Sequence, residues 1–153
     1  MSFSVSRVEW EMAAPLLKNI REKVFVCEWR IPKRIEFDRD DTKAFHILVC
    51  DDKSQEPIAT GRIMPSGEIS RIAVLKPYRK NRLDEVVLSG LIKVANELEL
   101  NEIYIHCPLS MVDYFIKHSF KTEGAVYMEA GIPRQRMVCQ LSKIGKAKYY
   151  LSH

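Results

Sequence analysis

A chain of 153 residues, 46% hydrophobic and 29% charged, has the size and polarity of one globular domain with one substantial core. No apolar run approaches the roughly 18 residues needed to span a bilayer, and the N-terminal MSFSVSRVEWEMAAP lacks a basic region followed by an apolar block, so a cytoplasmic protein is expected. The formal charge of +4 is scattered apart from RIPKRIEFDRDD, KPYRKNR and SKIGKAKYYLSH, which argues against a broad nucleic-acid-binding face.

Apolar runs rich in β-branched residues predict strands at Phe3 to Val8, Ala44 to Cys50, Pro57 to Met64, Glu68 to Val74, Glu102 to His106, Ala125 to Met128 and Met137 to Leu141. Between the first two, Ala13, Leu16, Leu17, Ile20, Val24 and Cys27 recur at helical spacing, and Pro15 is expected close to the helix start. DDKSQEP and MPSGE mark hairpin connections. After the fourth strand, Leu83, Val87, Leu91, Val94, Ala95 and Leu98 form an apolar helical stripe, with Asp84 and Glu85 at the positive end of the helix dipole. A shorter helix, SMVDYFIKHSF, has Ser110 as its candidate cap. The order gives an α/β (α+β) fold: a mixed sheet of about seven strands with helices on both faces, in one domain over 1–141, followed by a basic tail over 142–153.

Cys27, Cys50, Cys107 and Cys139 are widely spaced and mostly set in apolar runs, so neither a metal site nor a disulfide framework is expected. The cluster Lys76, Arg79, Lys80 and Arg82, between the fourth strand and the long helix, suits a small polyanion, though a solvated loop has the same composition.

The element order and the phrases REKVFVCEW, FDRDDTKAFH, IATGRI, ISRIAVLKPYR and YMEAGIP resemble the GNAT superfamily of acyl-CoA-dependent N-acetyltransferases, in its small bacterial ElaA-like branch. The resemblance implies acetyl-CoA as cofactor. Its pantetheine arm would pair with Ile72, Ala73 and Val74 of the fourth strand, and its pyrophosphate would sit on the turn Arg79, Lys80, Asn81, Arg82, Leu83, Asp84. The family pattern R-x-x-G-x-G/A keeps its Arg as Arg79, but Arg82 and Asp84 fill both small positions. Asp84 would repel phosphate; Arg82 would either grip it or pair with Asp84 and close the site.

The family's thiolate-protonating Tyr aligns with Phe115, which has no proton to give. Tyr114, Cys107, His118 or water would have to supply it, and Tyr114, next door in sequence, lies about 100° away around a helix. Pro108, Arg134 and Trp29 replace the residues usual at their positions. Glu129 in YMEAGIP and Glu68 at the fourth strand's start are the candidate bases; Glu129 has motif support, while Glu68 has only its position and reads first as a hairpin-turn carboxylate. Trp29, Arg71 and Arg134 are expected at the acceptor groove, Arg71 alternatively in an ion pair with Asp38 or Asp40; His46 is expected to be structural.

The implied activity is acetyl transfer to a primary amine of a small molecule or peptide, weakened by these departures. A noncatalytic ligand-sensing or protein-binding module on the same fold is the other reading. Exposed strand edges near the C-terminus would suit a homodimer.

Overall fold

The computed structural model describes residues 2–143. Its eight strands fall into two antiparallel groups. The first is the meander β1 (Phe3–Val8), β2 (Phe45–Asp51), β3 (Pro57–Ile63) and β4 (Ile69–Val74). The second sets β8 (Ile132–Gln140) between β5 (Glu102–Pro108) and β6 (Lys121–Thr122), and β7 (Tyr127–Glu129) also pairs with β8. Among the described residues a single parallel bridge, Glu68 to Tyr104, joins the groups where β4 and β5 begin; past it the two strands diverge.

Helices cover both faces of the first group. On one side is α3 (Leu83–Glu97), whose Val87 and Leu91 lie where a side chain on Gly61 would project, 2.4 and 3.0 Å from an added Cβ. Only glycine permits that approach. On the other side, Trp10 of α1 (Trp10–Arg21) meets the His46 ring at 5.5 Å between centroids. Strand β2 is accordingly buried on both faces through His46, Ile47, Leu48 and Val49.

Helix α1 begins at Trp10, one turn before the expected start, with Pro15 inside it. The bond Pro15 forfeits would have gone to the exposed Glu11, whose carbonyl water can satisfy, while Ala13, Leu17 and Ile20 bury the opposite face. Past Arg21 the chain continues as a π-helix over Glu22–Glu28. Its wider winding buries Val24 and Phe25 and turns Cys27 to solvent, out of the stripe that regular spacing predicts. Two further short helices complete the fold, α2 (Lys33–Glu36) and α4 (Val112–Lys117); α4 starts after a 3₁₀ turn containing Ser110, so Ser110 is not its cap.

Segment 33–44 is clamped to the sheet by a buried ionic network. Arg21, fully buried, donates to Glu36 at 2.8 Å and Asp41 at 2.7 Å. Arg62 bonds Asp38 at 2.8 Å and Asp41 at 2.9 Å, and Arg71 reaches Glu36 and Asp38, each at 3.1 Å. Three guanidinium groups thus meet three carboxylates. Burial holds the Glu36 carboxyl above its ordinary range despite the surrounding arginines. At Asp38 burial also pushes upward, but the Arg62 hydrogen bond and the charges of Arg62 and Arg71 outweigh it and the net shift is downward.

His46 is buried at the edge of this network, with Nε2 2.9 Å from the Asp41 carbonyl, and burial lowers its pKa from 6.5. A histidine held neutral in the fold but free to protonate when unfolded makes stability fall as pH drops below about 6.5. The melting temperature should therefore decline on acidification from pH 7 toward the folded-state value, and His46→Gln should flatten that slope.

Candidate functional site

Strand β4 carries the distortion that opens the cleft. Thr60 pairs with Ala73 and Arg62 with Ser70, so Gly61 faces two residues, Arg71 and Ile72, across a β-bulge. Arg71 sits at φ 57, a left-handed conformation uncommon for a non-glycine residue. Its guanidinium is fixed by Glu36, Asp38 and the carbonyls of Ile35 and Glu36. Of the two roles expected for Arg71, the ion pair with Asp38 is the one it adopts; Asp40 takes no part.

Beyond the bulge, Leu75 N–H bonds to Ile58 on β3. Alternation along the strand then turns the backbone groups of Ile72 and Val74 away from β3, into the cleft, while those of Ala73 face β3. No strand pairs with β4 on that side past the Glu68–Tyr104 bridge among the described residues. An extended amide-containing chain would find a free sheet edge there.

A 3₁₀ turn, Lys76–Asn81, leads to Arg82 at φ 56 and ψ 33, followed by α3. Arg82 holds the left-handed conformation a glycine would adopt freely, so the backbone of the turn keeps the shape its side chains do not suggest. Arg82 is exposed and makes no ion pair with Asp84 among the described residues. The turn is therefore not closed by that pair. Lys80 and Asn81 are exposed, Asp84 lies in the first turn of α3, and Leu83 is buried in the core. We expect Arg82→Gly to raise unfolding free energy by about 1 kcal/mol, the cost of the left-handed conformation, measurable by urea denaturation.

Arg79 is engaged. Its Nε donates to the Val74 carbonyl at 3.0 Å, and its two terminal nitrogens grip Glu28 at 2.6 Å each. The pair is partly exposed, and the Arg79 hydrogen bond holds the Glu28 carboxyl below its ordinary range. Glu28 ends the π-helix beside Trp29, which is 55% exposed and touches Phe25 edge-on. The sequence does not reveal this clasp, because Glu28 comes within reach of Arg79 only through the π-helical winding.

A second cluster gathers on the open face of β5 and β8. His106 Nδ1 lies 2.6 Å from the Tyr127 hydroxyl, and its Nε2 lies 3.8 Å from Glu68. Arg134 Nη1 donates to the His106 carbonyl at 3.4 Å, and its Nε is 3.8 Å from the exposed Glu129. The fold thus brings Glu68, Glu129 and Arg134 into one cluster around His106. His106 and Tyr127 are the members sequence reasoning missed. Alternation in EIYIHC, which buries Ile103, Ile105 and Cys107 and turns Tyr104 and His106 outward, was the available signal.

Tyr114 lies on α4. Its ring packs on Phe115 at 5.1 Å and on His118 at 4.5 Å, and His118 Nε2 is 3.8 Å from Glu85 on α3. Phe115 is buried against Phe120. Among the described residues no cluster of three or more His, Cys, Asp or Glu could hold a metal, and no helix is long and apolar enough to cross a membrane.

No family model matches the chain. The uncharacterized protein YyaT of Bacillus subtilis is 30% identical over 146 residues, covering 92% of this chain and 97% of that protein. The uncharacterized N-acetyltransferase YjcF of the same organism is 28% identical over 123 residues, covering 78% and 86%. Among solved structures, Escherichia coli ElaA superposes with a TM-score of 0.79 at 20% identity, covering 91% of this chain and all of that one.

Proposed function

The chain belongs to the GNAT superfamily of N-acetyltransferases, and from that premise we propose that it transfers an acetyl group from acetyl-CoA to a primary amine of a small molecule or peptide in the cytoplasm. The observation that carries the reading is the free edge of β4 behind the Arg71 bulge, lying between the basic turn and the polar cluster of β5 and β8.

The residues present fit the cofactor. Ile72 offers a backbone donor and acceptor, and Val74 its N–H, to the pantetheine amides, the Val74 carbonyl already accepting from Arg79. Arg79, Lys80, Arg82 and the first amides of α3 offer positive charge and N–H groups to the pyrophosphate. When bound, acetyl-CoA supplies the activated acetyl group. The chain's own part is to hold the amine in line with it and to remove the ammonium proton; positioning of that kind accounts for much of the rate in such transfers. Glu68, Glu129, Arg134 and the exposed Trp29 line the approach on the acceptor side.

Titration calorimetry with acetyl-CoA and with free coenzyme A tests the reading. Binding in the micromolar range, followed by amine-dependent release of thiol, is the expected result; absence of heat at millimolar ligand would overturn it. A noncatalytic ligand-sensing or protein-binding role is the second reading, favoured by the core position of Phe115, which leaves no acid there. Binding without thiol release from any amine would select it.

A further inference from the structure

Resting on the acyl-transfer reading, we propose that Tyr127, His106 and Glu68 form a proton relay that deprotonates the acceptor ammonium, with the Tyr127 hydroxyl as the group that meets the substrate. Three residues from three elements converge: Tyr127 from β7, His106 from β5 and Glu68 at the mouth of β4. The order is hydroxyl, imidazole, carboxylate, with contacts of 2.6 and 3.8 Å. That is the arrangement by which a weak hydroxyl is made to exchange its proton.

The hydrogen-bonding chemistry sets the direction. A phenol is the stronger donor of the two, so Tyr127 donates to Nδ1, which leaves the neutral ring with its proton on Nε2, facing Glu68. In the step, the ammonium N–H bond breaks and its proton passes to Tyr127 Oη. The proton already on Oη passes to Nδ1, and the electron pair of the broken bond stays on the amine nitrogen for attack. Tyr127 remains neutral throughout. The imidazolium that forms is balanced by Glu68 and returns its proton to water after product leaves. Burial, followed by the charges of Glu129 and Glu68, raises the Tyr127 pKa and so keeps the hydroxyl protonated between turnovers.

The surroundings suit this use. Tyr104 meets the His106 ring edge-on at 5.9 Å, with Arg136 stacked 4.0 Å over the Tyr104 ring and Ser66 bonded to its hydroxyl, so one wall of the imidazole is fixed. Arg134 holds the His106 backbone carbonyl and lies 3.8 Å from Glu129. The side chains of His106 and Glu68 are each about one third exposed, so the relay is accessible from the groove.

The test has two independent arms. Nitrogen-15 NMR of the histidines in the wild-type protein should show His106 protonated on Nε2 in its neutral form, and Tyr127→Phe should change that tautomer balance. A neutral His106 protonated on Nδ1 in the wild type would overturn the relay, since Nδ1 could then accept nothing. The kinetic arm measures acetyl-CoA-dependent thiol release with a free amino acid, a polyamine, an aminoglycoside and a peptide with a free N-terminus. Tyr127→Phe and His106→Gln should each lower kcat/KM by about a hundredfold to ten-thousandfold, the double variant losing little more, while calorimetric affinity for acetyl-CoA stays unchanged. Wild-type kcat/KM in Tyr127→Phe would overturn the relay and leave the acyl-transfer reading standing. If the wild type binds acetyl-CoA but acylates none of the amines, it is the acyl-transfer reading that fails, and the NMR arm still decides the arrangement of the three groups.

Discussion

Replacing Arg21 with alanine is expected to lower the unfolding free energy by about 3–5 kcal/mol, the usual cost of removing one member of a buried ionic group. Arg21 is 0% exposed, and its guanidinium also bonds the Glu36 carbonyl at 2.7 Å. Its loss takes one cationic partner from each of two carboxylates, Glu36 and Asp41, that are themselves buried. Arg62 still bonds Asp41 and Arg71 still reaches Glu36, but both guanidinium groups are shared with Asp38, so they recover only part of the lost interaction. Urea denaturation of the variant gives the number directly. Arg7→Ala provides the contrast, because the Arg7–Glu97 pair is exposed on both partners and should change stability by no more than about 1 kcal/mol. Equal losses in the two variants would mean that the network does not clamp segment 33–44. A further consequence of the clamp is that Arg71, left without Glu36 and Asp38 in place, would relax from its left-handed conformation. The Arg21 variant should therefore lose acetyl-CoA affinity as well as stability.

The second large effect concerns Arg79. Arg79→Ala should weaken acetyl-CoA binding by roughly 10- to 150-fold, the value of about 1.5–3 kcal/mol for hydrogen bonds to a charged group. Glu28→Gln should act in the opposite sense. With the carboxylate gone, the guanidinium no longer has to exchange one anion for another, and affinity should rise, by about tenfold if a single charge-assisted contact is released. Calorimetry on both variants checks the pair. If Glu28→Gln weakens binding instead, the clasp preorganises Arg79 for the cofactor rather than competing with it. The Arg79 contact to the Val74 carbonyl ties the turn to the strand beneath it, so the alanine variant is best read beside its urea curve.

The residues differ in how much of this they disclose in advance. The strands of the meander are legible because each is a short apolar run between turn residues, and α3 is legible from an uninterrupted stripe. Regular periodicity cannot show where the period changes. The π-helix after Arg21 and the bulge at Arg71 each shift the facing of the residues beyond them, and they decide the partners of Glu28 and Arg71. Arg82 misleads in another way, since its side chain argues against a glycine-type turn while its backbone adopts one. The phrase FDRDDTKAFH is visible as a motif, but its role in neutralising Arg21, Arg62 and Arg71 depends on strands distant in sequence. His106 and Tyr127 escape notice for the same reason. They lie 21 positions apart and meet only because both β5 and β7 pair with β8.

Among the described residues, the backbone pairing of the two strand groups at one point, Glu68 to Tyr104, gives the cleft the mechanics of a lever with its fulcrum at one end. A small rotation there displaces Val74 and Pro108, at the far ends of β4 and β5, much further than it displaces Glu68 beside the bridge. The mouth that would admit a bulky nucleotide is thus the compliant end. Tyr127 and His106 belong to one strand group, so the rotation leaves their separation unchanged, while Glu68 stays beside the pivot.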